Sequence, residues 1–305
     1  MNYVQNPYFT DQNVEKEKGI IGQEINMYDD EPSWQTYMNL MKLMYKQNPI
    51  NIDIAGSIES IGKINKEILY KAYNTFYNLS NMTIVVCGDF KPNEILEEIK
   101  KRITKKDNIG EIKRIYPSEQ QQIVAKEKIE TMDVTNPIFA IGFKDKKPTK
   151  DVVKKHIAIE IILYMLLGKS SKTYQKLYNQ ADIIVQPDLD YEFSKNYAHV
   201  IISGTAQNPE NVVKQLKQAI EENKEKGLNE EEFNRIKKKI YGDYVTEYNE
   251  VSNIARMFLA DYMKGINSFD YLEEYSTVTL AYANQILKEV FREDNIAVSI
   301  VKGKE

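Results

Sequence analysis

The stretch Glu17–Tyr28, EKGIIGQEINMY, constrains this chain more than any other. At about 100° per residue its Ile20, Ile21, Ile25, Met27 and Tyr28 fall on one arc of a helix. Lys18, Gly19, Gly22, Gln23 and Asn26 fall on the other. Glu24 sits near the middle of the apolar arc, and Glu17, two turns back, takes nearly the same bearing. A carboxylate aimed into a core is costly unless a cation, a shared proton or a metal ion meets it. Glu24 is therefore expected to face inward. On spacing alone, the plainer reading of a Glu pair at i, i+7 is a satisfied structural pair.

At 305 residues, two domains of ordinary size are the expectation. Hydrophobic content of 42% and charged content of 28% fit a globular chain, and a net charge of −4 gives no basic footprint for nucleic acid. The longest apolar run, Ile157 to Leu167, is broken by Glu160 and too short to span a bilayer, so no membrane partner is expected. Cys87 is alone, which excludes a disulfide framework within the chain. In TIVVCGDF it reads as a small buried apolar residue.

Asp11 or Asn13 could cap the first helix, and Asp29-Asp30-Glu31-Pro32 ends it. A second helix, Ser33 to Lys46, carries Trp34, Tyr37, Met38, Met41, Met44 and Tyr45 on one stripe, the spacing of a core face. INIDIAG alternates like a short extended piece. Asn65 caps KEILYKAYNTFYN, and MTIVVCGDF reads as a buried strand. Pro92 opens another helix, periodicity is lost from Thr104 to Ser118, and a linker is placed at 113–120. The second half reads as strands near 121–130 and 137–144, then a long helix ended by Gly168. A helix capped by Ser170-Ser171 follows, then strands near 183–186, 190–193 and 198–204. Helices opened by Pro209 and Asn229 come next, then two more near 254–264 and 281–291, and NIAVSIV closes as a strand. This order predicts an α+β fold with an antiparallel or mixed sheet covered on one face. His156 lies alone in the long helix and His199 alone in a strand, neither with a partner in sequence.

EKGIIGQEINMYDDEP resembles the segment that carries the third zinc ligand in the insulinase and pitrilysin-like zinc peptidases, the family of mitochondrial processing peptidase. There the pattern is Glu, six residues, Glu, then an acidic turn and Pro. KQNPINIDIAGSIESIGKINKEILYKAYNTFYNLSNMTIVVCGDFKPNEIL resembles the end of that family's first domain, and LLGKSSKTYQKLYNQADIIVQ the matching part of its second. The resemblance spans nearly the whole chain. It implies an α+β fold of two repeats, each a mixed or antiparallel sheet covered by helices, with the first repeat only partly present. NMTIVVCGDF and NIAVSIVKGKE look like one closing strand used twice. Residues 1–112 would be the end of the first domain and 121–305 the second, non-catalytic one. Glu24 matches the metal-binding Glu, and Glu17 an acidic neighbour that supports the site.

The departures define the expected function. The family's zinc site needs His-x-x-Glu-His on a helix upstream, where two His bind the metal and the Glu activates its water. His156 and His199 lie in no such motif, and the 23 residues before Glu24 leave it no room. The expectation is a C-terminal portion of a zinc metalloendopeptidase acting on peptides or unfolded segments. Asn2-Tyr3-Val4 reads as the middle of an element rather than a natural start. Zinc belongs to the full-length protein, and by itself this chain is expected to bind no catalytic zinc and cut nothing. The alternatives are a non-catalytic partner subunit or peptide-binding scaffold, and an interaction domain without a peptide site. In many relatives an Arg, and a Tyr seven residues later, reach the substrate from the second domain. Here Tyr178 and Val185 stand at those positions. Keeping the ligand Glu but not this pair implies a metal-bearing subunit paired with a related chain, or self-association of a half-covered first domain. A cytoplasmic setting is expected.

Overall fold

The structure, a computed structural model, describes residues 1–104 and 112–304. The elements run α1 (Asn2–Gln5), α2 (Asp11–Asp29), α3 (Pro32–Met44), α4 (Ile58–Gly62), α5 (Lys66–Phe76), α6 (Pro92–Arg102), β1 (Glu127–Thr131) and β2 (Ile138–Asp145). They continue with α7 (Val152–Leu167), α8 (Lys172–Asn179), β3 (Asp188–Phe193), β4 (Ala198–Thr205), α9 (Pro209–Lys226) and α10 (Glu230–Thr246). The chain closes with α11 (Val251–Lys264), α12 (Asp270–Thr277), α13 (Leu280–Val290) and β5 (Ile296–Lys302). Two compact units result. The first is Met1–Tyr28, Asp53–Ile115 and Glu250–Ala260, and the second is Asp29–Ile52, Tyr116–Asn249 and Asp261–Glu305.

The second unit holds one mixed sheet in the order β1-β5-β2-β4-β3. Only the β1–β5 pair is parallel. Phe139, Ile141 and Phe143 of β2, Val200 and Ile202 of β4, and Ile296, Val298 and Ile300 of β5 alternate onto one face. There they meet α7, whose Ile157, Ile159, Ile161, Ile162 and Leu166 are buried around its whole circumference. Such a helix has neighbours on every side. Its neighbours are α8, α9, α10, α12, α13 and β3. Local chemistry places the starts of these helices. Ser171 accepts a hydrogen bond from Tyr174 N at 3.1 Å, and Asn229 from Glu232 N at 2.9 Å.

The sheet's opposite face is covered too, where one covered face was expected. There Leu40, Met41, Leu43, Met44 and Tyr45 of α3 and the residue after it cluster with Ala140, Ile201 and Ala297. The small strand residues let the helix lie close. A Cβ on Gly142 would stand 2.6 Å from Met44 Sδ and 3.1 Å from Leu40 Cδ1. Buried Asn39 ties α3 to β1, donating to Glu130 at 2.6 Å and accepting from Lys128 Nζ at 2.7 Å.

The first unit is helical, and no strand occurs among its described residues. α2 and α4 approach across Gly22, where a Cβ would meet Ile58 Cδ1 at 3.4 Å. Asn65 caps α5 by accepting from Ile68 N at 2.9 Å, and Lys66 pairs with Asp11 at 2.6 Å. The expected strand MTIVVCGDF is corrected: Met82–Cys87 has no sheet partner among the described residues, and Met82, Ile84 and Val86 are exposed. Cys87 is only partly buried. β-branched sequence favours extension, but a strand exists only where another strand offers its backbone. INIDIAG begins as a 3-10 turn at Pro49–Asn51, and of the strand expected near 183–186 only an isolated bridge, Ile183 to Ala206, is found.

Candidate functional site

α2 starts at a reciprocal cap. Thr10 N donates to Asn13 Oδ1 at 2.7 Å, and Asn13 N donates to Thr10 Oγ1 at 3.2 Å. From there the helix presents two faces. Val14 and Ile25 are buried, and Ile21 and Gly22 are partly buried on the same side. Glu17, Ile20, Glu24 and Met27 share the other side and are all exposed, Ile20 by 48% and Met27 by 59%. The inward-facing Glu24 is thus corrected. The apolar arc is wider than the surface that covers it, and the covered edge is the one containing Ile25. Neither Glu17 nor Glu24 has an ion-pair or hydrogen-bond partner among the described residues. They form a pair of free carboxylates on one bearing, interleaved with two exposed apolar side chains.

One carboxylate, even with a neighbour a helical repeat away, does not make a zinc site. Among the described residues no group of three or more His, Cys, Asp or Glu could hold a metal ion. The described residues therefore do not fit a closed zinc centre by themselves.

Tyr178 and Val185 lie in the second unit, exposed by 53% and 59%. Tyr178 lies in the last turn of α8, its ring stacked on Tyr174 at 5.9 Å and 17°. Just beyond, Ala181 N donates to Tyr178 O and Asp182 N donates to Leu177 O, each at 3.0 Å. This helix-ending motif puts Ala181 at φ 57°, a left-handed position that glycine normally fills.

The two histidines have partners that sequence reasoning missed. His156 Nδ1 lies 2.7 Å from Tyr271 Oη, and burial, helped by the charge of Lys264, pushes the imidazole down to about 4. Four residues along α7, burial pushes Glu160 up to about 7. His199, fully buried, lies 2.8 Å from Tyr45 Oη and under the Tyr197 ring. Its Nε2 is 3.3 Å from Glu192 Oε2, outside hydrogen-bond geometry. Tyr45 and His199 are 154 positions apart, and no local pattern announces such a pair.

The comparisons with known proteins place the chain in a family. The profile described as "Peptidase M16 inactive domain" matches residues 63–240. The chain belongs to the M16 peptidase family. Within this family, the insulinase/pitrilysin group, the chain is 34% identical to "Uncharacterized zinc protease YmfH" of Bacillus subtilis. That alignment covers 100% of this chain and 72% of the relative. It is 25% identical to "Probable mitochondrial-processing peptidase subunit beta" of Arabidopsis thaliana, over 46% of this chain and 27% of the relative. The crystal structure of a putative M16-like peptidase from Alicyclobacillus acidocaldarius superposes with a TM-score of 0.94 at 32% identity. It covers 99% of this chain and 73% of that one. No helix among the described residues of this M16 chain is long and apolar enough to cross a membrane.

Proposed function

We propose that this chain works as part of a zinc metalloendopeptidase acting on peptides or unfolded segments, with Glu24 offered as the third metal ligand and Glu17 supporting it. The His-x-x-Glu-His helix would come from polypeptide outside this sequence. One observation carries the reading: on α2 two carboxylates without a partner among the described residues share an exposed face with Ile20 and Met27. Apolar side chains left open beside free carboxylates are what a missing neighbour would cover. The unpaired Met82–Cys87 segment and a relative named a zinc protease, of which the chain covers 72%, support it. The division at residues 113–120 belongs to the same proposal, since the five strands among the described residues lie beyond it.

The second reading is a non-catalytic partner or peptide-binding scaffold. The description of the matched family as an inactive domain favours it, as does the absence of Arg and Tyr at positions 178 and 185. Zinc content after dialysis and cleavage of an unfolded peptide separate the two. The measurements are made on this chain alone, and on the chain with a His-x-x-Glu-His segment of a relative supplied in trans. The peptidase reading expects zinc and cleavage only in the complemented sample, and loss of both on Glu24→Gln. Complementation that Glu24→Gln leaves intact overturns it.

A further inference from the structure

A cavity of about 480 Å³ opens in the second unit. Its floor is the end of β2, Lys144 and Asp145, with Tyr45 from the residue after α3. One wall is the segment Tyr116–Gln121, and the opposite rim is Lys195, Asn196 and Tyr197 in the turn between β3 and β4.

The floor is densely hydrogen-bonded and electrically balanced. Lys144 Nζ meets Glu119 at 2.8 Å, and Lys155 Nζ meets Asp145 at 2.6 Å, both pairs largely buried. Glu119 also accepts from the backbone N–H of Lys46, Gln47 and Asn48 at 3.2, 2.7 and 2.7 Å. Burial opposes the charged form of Glu119, yet the hydrogen bonds from Lys144 and these amides hold its carboxyl below the usual range. Asp145 accepts from Tyr191 Oη at 2.8 Å. Every charge on the floor is therefore matched.

The rim is not matched. Lys147 and Lys195 are exposed there and neither has an ion-pair partner among the described residues, while no free carboxylate lines the cavity. Around them stand the side-chain amides of Gln121 and Asn196 and the ring of Tyr197. A volume of this size suits a small molecule. The lining favours one with two or more negative charges and hydrogen-bonding groups, because two lysines near one mouth repel each other until an anion sits between them.

We propose that this cavity binds a small polyanion, a polycarboxylate or a phosphate ester, with Lys147 and Lys195 as its charge partners and Asn196 and Gln121 as hydrogen-bonding neighbours. Such a ligand bridges the Tyr116–Gln121 wall to the sheet. The test is calorimetric titration of the full chain with trisodium citrate and with inorganic pyrophosphate, at fixed ionic strength held by sodium chloride. The expected result is saturable one-to-one binding of at least one probe. K147E/K195E should weaken it at least tenfold, and K214E/K304E, with the same change in net charge elsewhere, should leave it unchanged. Circular dichroism confirms that both variants fold. Citrate alone points to carboxylates, pyrophosphate alone to phosphates, and both to selection by charge. No saturable binding of either probe, or equal weakening by the two double variants, overturns the proposal.

Discussion

Asn81–Cys87 and Asn295–Val301 are two versions of one sequence idea, NMTIVVC and NIAVSIV. Each follows a helix, and each opens on an asparagine that bonds back to that helix. Asn81 Nδ2 donates to Phe76 O at 2.9 Å, and Asn295 Nδ2 donates to Val290 O at 2.8 Å, five residues back in both. Beyond the asparagines they part. Ile296 to Val301 lie between β1 and β2, all buried, as strand β5. Met82, Ile84 and Val86 are exposed by 39%, 52% and 46%, with no strand beside them among the described residues. The difference teaches that a β-branched run specifies extension, while burial comes from neighbours on either side.

Truncation should break the comparison most sharply. Ile300→Ala should cost about 2–5 kcal/mol, because the side chain is fully buried and leaves a cavity. Ile84→Ala should cost less than about 0.5 kcal/mol. Urea unfolding followed by the fluorescence of Trp34, the only tryptophan and a residue of the second unit, checks the first. Backbone circular dichroism checks the second. Equal costs would mean that Ile84 is covered.

The asparagines should differ next. Asn295 also donates to Lys144 O at 2.7 Å and accepts from Arg292 N at 3.1 Å in a buried setting. Asn295→Ala should therefore cost about 2–3 kcal/mol by stranding several backbone groups. Asn81, bonded besides to Arg114 at 3.1 Å on the surface, should cost about 1 kcal/mol or less.

A pH series sharpens the picture of the second unit. Glu160 is raised from 4.5 to about 7, so its contribution is full below about pH 4.5 and is lost as pH rises through about 7. His156 is lowered from 6.5 to about 4, so its contribution is full above about pH 6.5 and is lost as pH falls toward 4. Between these limits the two slopes oppose. Above about pH 6.5 only the tail of the Glu160 loss remains, so stability followed by Trp34 should decline from about pH 6.5 to 8 by less than about 1 kcal/mol. Glu160→Gln should flatten that decline. A decline that survives the substitution would assign it to other groups.

The smallest effect is a gain. Ala181→Gly should stabilise the second unit by about 0.5–1 kcal/mol, because glycine accepts the left-handed turn that alanine resists. A loss of stability there would mean that Ala181 contributes packing that outweighs its backbone strain.

Much of this was legible in sequence where the signal is local. Asn65, Ser171 and Asn229 cap helices because a short polar side chain reaches the third amide on, whatever surrounds it. Strands β2, β4 and β5 could be read because the residues that bury them lie in the same chain. Periodicity gave α2 its bearing but not the side its neighbours would take, so Glu24 came out exposed where burial was expected. The stripe on α3 announced a buried face. It could not say that the sheet's second face would receive it, since Gly142, Ala140 and Ala297 lie far along the chain. The role proposed for Glu24 rests on family resemblance, because a lone carboxylate on a helix carries no chemistry of its own.

The most direct test of the account is zinc stoichiometry by mass spectrometry on the chain complemented in trans by a His-x-x-Glu-His segment, with wild-type Glu24 and with Glu24→Gln. The account predicts close to one zinc per complex for the wild type and almost none for the variant. One zinc in both would contradict the assignment of Glu24 and leave the exposed face of α2 without its proposed purpose.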